Sequence, residues 1–135
     1  MAYGQSKSAN ALFAVELDER GAPLGIRAFA VHPGRIPSTG LKKFLTLGEL
    51  AAQPLPRSDK VYVKNIQEGA ATQVWGAVSP QLADKGGVYC ADCDISPVVH
   101  HDSSLSNSVR DYAVDPGKAA SLWRLSEQLT GVVFD

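Results

Sequence analysis

The stretch AYGQSKSANALF, Ala2–Phe13, decides how this chain is read. Continued to Glu19 it is rich in Ala, Leu, Glu and Lys, and Gly21 and Pro23 stand just past its end, so residues 3–19 are expected to form a helix. Four residues separate Tyr3 from Lys7, which places both on one face of that helix. A free phenol, with a reference pKa of about 10, is a poor acid or base at neutral pH. A neighbouring cation favours the phenolate, and this makes a tyrosine beside a fixed lysine a credible proton-transfer pair. On its own, the spacing also fits an ordinary solvated helix face.

Outward from the helix, the run IRAFAV, Ile26–Val31, is short and almost continuously apolar, as in a parallel strand covered on both faces. It ends at His32-Pro33-Gly34. From there to Pro56 the chain holds Pro33, Pro37, Pro54 and Pro56 with Gly34, Gly40 and Gly48, and only LKKFLTL and GELAA suggest short helices. Long segments of this kind are usually functional or mobile. Ser58 or Asp59 is the expected cap of a further helix, in which Val63, Ile66, Ala70, Val74 and Ala77 would form one buried stripe. Gly86-Gly87 lead into a strand, VYC. Residues 91–114 look polar and irregular, and Pro116 opens a last helix whose Ala119, Leu122, Leu125 and Leu129 share a face. The order helix, strand, long loop, helix, strand, helix argues for an α/β layer with parallel strands. Two visible strands leave an unpaired edge beside IRAFAV, where a neighbour is expected to be missing.

Composition bounds the partners. The 135 residues suit one domain, and 44% apolar with 20% charged residues describes a globular chain. Thirteen basic and fourteen acidic residues, interspersed, sum to a net charge of −1, which disfavours nucleic acid and anionic lipid as partners. No apolar run approaches the roughly 18 residues of a spanning helix. No apolar signal stretch follows Met1, so a cytoplasmic location is the default expectation.

Four stretches, YGQSKSANALF, AVHPGRIPSTGL, QEGAATQVWGAVSP and GGVYCADCD, stand in the order and spacing of the short-chain dehydrogenase/reductase family. The chain resembles that family's retinol-dehydrogenase-like members from Tyr3 to about Thr130. The resemblance implies an oxidoreductase that uses NAD or NADP to interconvert a hydroxyl and a carbonyl. Tyr3 would be the proton-transfer residue, and Lys7 would hold the nicotinamide ribose and lower the tyrosine pKa. Pro33 and Gly34 would lie against the nicotinamide, and the backbone at Ile36 would meet its carboxamide. Ser38 and Thr39 both stand near the family's threonine position. Residues 39–57 would form a substrate lid, whose Leu41, Phe44, Leu45 and Leu47 suit an apolar substrate or a small surface helix equally.

The same resemblance implies the C-terminal part of a doubly wound Rossmann-type parallel sheet, with residues 1–135 as a single partial domain. No G-x-G-x-x-G occurs in the chain, so the glycine-rich phosphate turn and the rest of the catalytic set are expected upstream, and the chain alone is expected to be inactive. A second class of reading is a non-catalytic, truncated paralogue that binds the missing half, another copy of itself or a different protein.

Remaining signals read as structural. Cys90-x-x-Cys93 lacks a second pair, and the adjacent His100 and His101 do not have zinc-finger spacing, so no metal site is expected. His32 reads as a satisfied strand-end residue, Trp75 and Trp123 as packing residues, and the acids of LDER, Leu17–Arg20, as a solvated face.

Overall fold

The computed structural model describes residues 2–38, 40, 62–105 and 107–134. Helix α1 spans Ala2–Gly21, slightly longer than its sequence signals suggest. Ala11, Ala14, Asp18 and Gly21, three or four residues apart, are its buried row. Small side chains there let the helix lie close to what it covers. Gly21 leads into a 3₁₀ turn at Ala22–Leu24, which Gly25 closes in the left-handed region.

Strand β1 is Phe29–His32, not Ile26–Val31. The reason lies in the backbone polar groups ahead of it. The Ile26 N–H donates to the Gly21 carbonyl at 3.0 Å, and the Ala28 N–H donates to Asp18 Oδ1 at 2.9 Å. The end of α1 claims these donors, and strand pairing starts only at Phe29.

Helix α2, Ile66–Val78, begins at Asn65 rather than at Ser58 or Asp59. Asn65 Oδ1 accepts from the Glu68 N–H while Glu68 Oε2 accepts from the Asn65 N–H, each at 2.8 Å, a reciprocal capping box. The expected stripe is not buried: Val63, Ile66, Ala70, Val74 and Ala77 are all exposed. Gly69 and Thr72 form the buried side instead. A Cβ on Gly69 would fall 2.0 Å from Ile36 Cδ1, so contact with the sheet side demands the smallest residue and turns the apolar stripe outward.

Strand β2, Val88–Ala91, pairs in parallel with β1 in the register Phe29↔Val88 to His32↔Ala91. Strand β3, Asp94–Ile95, folds back on β2, giving the order β1-β2-β3. The two-residue turn, Asp92 and Cys93, has both φ values positive, at 54° and 57°, the form that matches hairpin twist. Residues 91–114 are thus less irregular than their composition suggests. They also hold β4, Val98–Val99, and β5, Val109–Arg110, which pair in parallel. Among the described residues, β1 pairs only with β2, so its other edge carries no ladder there.

Gly76 approaches Val31 from the α2 side, and α1 contacts the start of β1 through Asp18, so both helices pack against the β1–β2 pair. Helix α3, Pro116–Thr130, is capped by Asp115 and ended by Gly131 in the left-handed region. It packs on α1. Its buried residues are Ala119 and Trp123, while Leu125 and Leu129 of the expected face are exposed. Phe13 stacks on Trp123 at 5.2 Å, and the Arg20 guanidinium lies 5.0 Å from the same indole. Trp75 is half-buried. The LDER acids are not a uniformly solvated face, because Asp18 is only 7% exposed.

Candidate active site

A cleft of about 720 Å³ opens where β1 ends, between the first turns of α1 and the loop that follows His32. Tyr3, Lys7 and Asn10 line it from α1, and Pro33, Gly34 and Ile36 line it from the loop. One helical turn brings the first two together: Lys7 Nζ lies 5.4 Å from the centre of the Tyr3 ring. Both side chains are exposed, so solvent or a ligand reaches them. The Ser6 hydroxyl donates to the Tyr3 carbonyl at 2.8 Å.

The loop is shaped by its backbone. Gly34 has φ +86°, and its N–H donates to His32 Nδ1 at 3.2 Å. In the neutral ring an accepting Nδ1 leaves the proton on Nε2. Although His32 keeps solvent contact as a residue, desolvation of its ring in the cleft wall lowers its pKa. Lys64 acts in the same direction, and both outweigh the attraction of Asp92. This direction favours the neutral imidazole.

Arg35 bridges Val63, and the Lys64 N–H donates to the Arg35 carbonyl at 2.9 Å. This contact ties the turn after β1 to the residues just before α2. The Lys64 side chain crosses Gly34 and pairs with Asp92, whose other oxygen accepts from Asn107 Nδ2 at 3.3 Å. The turn after β1, the start of α2 and the β2–β3 hairpin are fastened at one rim of the cleft.

The structure thus gathers Tyr3, Lys7, Pro33, Gly34 and Ile36 at one opening. Ile36 is half-buried and its side chain also packs on Gly69. Ser38 is exposed in a turn and does not line the cleft. Thr39 and residues 41–57 of the expected lid lie outside the described residues.

Sequence reasoning missed Tyr89. It sits opposite Ala30 in the parallel register and lines the cleft, its ring 6.5 Å from His32 in an edge contact. Burial, with a smaller contribution from nearby Tyr3, pushes its phenol pKa up, so it remains an uncharged hydroxyl. Only the strand register reveals it, since nothing local in GGVYC marks that tyrosine. The two cysteines are free: Cys90 is buried, and burial raises its thiol pKa, while Cys93 is exposed.

Chemically, the cleft offers a phenol and an ammonium beside a backbone turn at the carboxyl end of a parallel strand, where α/β sheets bind ligands. The residues present suit the nicotinamide-ribose end of a dinucleotide: the Gly34 turn brings backbone within reach, and Lys7 supplies a donor. A pyrophosphate needs more than this.

No family model matches the chain. It is 38% identical over 135 positions to the WW domain-containing oxidoreductase of Danio rerio, covering 96% of this chain and 28% of that protein. It is 30% identical to oxidoreductase calI of Penicillium decumbens, over 97% of this chain and 39% of that protein. Short-chain dehydrogenase/reductase prx1 of Penicillium rubens is 31% identical, over 93% of this chain and 36% of its own length. The chain therefore spans between 28% and 39% of these relatives. Likeness along nearly its whole length aligns this mixed α/β chain with oxidoreductases of the short-chain dehydrogenase/reductase kind.

Proposed function

We propose that this chain carries the proton-transfer part of an NAD(P)-dependent short-chain oxidoreductase that interconverts a hydroxyl and a carbonyl on a small, apolar substrate. The observation that carries the reading is the convergence of Tyr3, Lys7, Pro33, Gly34 and Ile36 on one cleft at the end of β1. A dinucleotide, when bound, supplies or accepts the hydride. Tyr3 Oη donates the proton to the carbonyl oxygen in reduction and removes it in oxidation. Lys7 holds the ribose and stabilises the phenolate. Pro33, Gly34 and the Ile36 backbone would bear on the nicotinamide.

In this reading α1, β1, α2 and β2 form one end of a doubly wound sheet, and the segment does not catalyse by itself. Three observations support that. The chain has no G-x-G-x-x-G, β1 has one unladdered edge among the described residues, and the Ile66–Val74 stripe of α2 faces outward. A companion segment holding the phosphate turn would cover such surfaces.

The test is to graft these 135 residues in place of the aligned segment of the Danio rerio relative and follow dinucleotide absorbance with apolar ketones and aldehydes. Turnover that depends on Tyr3 supports the proposal. Equal turnover with phenylalanine at that position refutes it.

A further inference from the structure

Away from the cleft, the parallel pairing of β4 with β5 brings together groups that sequence spacing alone keeps apart. Val99 stands beside Arg110, so the residues that follow each strand, His100 and Asp111, emerge next to one another. The Ser103 N–H donates to the His100 carbonyl at 2.9 Å and closes the turn that holds both histidines. Arg110 braces the same loop, its Nη2 donating to the Ser103 carbonyl at 2.8 Å and its Nη1 to the Leu105 carbonyl at 3.2 Å.

The adjacent imidazoles do not diverge. Their ring centres are 4.0 Å apart, and one ligand atom each from His100, His101 and Asp111 lies within 4.8 Å of the others. Asp102 touches both rings, at 3.4 Å from His100 Nδ1 and 3.2 Å from His101 Nε2, and adds negative charge.

We propose that His100, His101 and Asp111 form a surface site for a divalent transition-metal ion of the zinc type. Two imidazoles and a carboxylate are the donor set that selects such ions over magnesium or calcium, which prefer oxygen alone. Asp102 lowers the cost of bringing a dication to the turn. Both histidine side chains are more than half exposed, at 63% and 57%, so an ion enters from solvent without the fold opening. The site stands on a ladder separate from the Tyr3–Lys7 cleft, so its occupancy stabilises the 98–111 segment rather than taking part in proton transfer.

The test uses the full chain carrying Cys93→Ser, which removes an exposed thiol that would compete for the ion. Zinc chloride is titrated in by calorimetry while the imidazole proton resonances are followed, with magnesium chloride as the comparison. One zinc ion per chain is expected. The His100 and His101 signals should move and that of His32 should not, and His100→Gln or His101→Gln should weaken binding at least tenfold. Asp111→Asn should weaken it several-fold, with circular dichroism unchanged in each variant. Four outcomes would overturn the proposal: no saturable binding, equal binding of magnesium, a response at His32 instead, or undiminished affinity in the two histidine variants.

Discussion

Both arms of the Arg27 guanidinium close on Asp18, Nε on Oδ1 and Nη2 on Oδ2, each at 2.9 Å. Asp18 Oδ1 also accepts the Ala28 N–H at 2.9 Å, so one carboxylate fixes the last turn of α1 to the residue that precedes β1. Gly86 passes so close that an added Cβ would meet both Asp18 and Arg27, which is why glycine stands there. Replacing Asp18 with asparagine removes the charge and part of this bonding. A loss of about 2 kcal/mol is expected at neutral pH, the scale of buried hydrogen bonds to a charged group. The denaturant midpoint measures it.

The same carboxylate sets an acid limit. Burial alone would raise its pKa, but the hydrogen bonds from Arg27, Ala28 and Gly87 and the Arg27 charge together outweigh it and hold the pKa below the ordinary 3.8. A depressed pKa means that the stabilisation is complete above that value and is lost as pH falls through the folded one. Stability curves of the natural chain and Asp18→Asn should therefore lie apart at pH 6 and draw together as pH falls below 3.8 through the depressed folded value.

Thr72, fully buried on α2, accepts the Cys93 N–H with its hydroxyl at 3.3 Å and so holds the β2–β3 turn, whose two residues both have positive φ. Thr72→Val keeps the shape and orphans that donor. It should cost about 1–3 kcal/mol, and Thr72→Ser should recover most of the loss. Thermal melting of the three chains distinguishes these outcomes.

The cysteines offer a direct check of the packing around β2. Cys93 is exposed and Cys90 has no exposed surface, so a thiol reagent should modify one site per folded chain and two in denaturant. Rapid modification of both in the folded chain would mean that α2 does not cover β2 as described.

At Gly34 two effects can be ranked. Alanine there meets the far end of the Lys64 side chain, which can swing aside, but it must also adopt φ +86°. The backbone strain, about 1–2 kcal/mol, is therefore the larger effect. Gly34→Ala should lower the melting temperature, and Lys64→Ala in the same chain should relieve little of that loss.

How far the sequence reaches is clear from particular residues. The helix of Tyr3 and Lys7 and the helix opened by Pro116 were legible because propensity, caps and stop signals agree locally. The start of β1 was not, because it depends on Asp18, ten residues before Ala28, taking a backbone donor. The buried side of α2 was misread for a related reason: hydrophobic spacing marks Ile66 and Val74, whereas close approach to Ile36 selects Gly69. Short strands such as Val98–Val99 carry too few residues for any periodicity. Tyr3, Lys7, Pro33, Gly34 and Ile36 stand in stretches that the resemblance singles out, and they line one cleft. Tyr89 entered only through strand register, and the nearness of His100 to Asp111 only through the β4–β5 ladder.

The central claim concerns a single oxygen, Tyr3 Oη, and its most direct test is carbonyl reduction by the grafted enzyme with Tyr3 intact and with Tyr3→Phe. Loss of a positioned proton donor should lower kcat by about 10²–10⁴-fold while the dinucleotide still binds. Undiminished kcat in the phenylalanine variant would contradict the account.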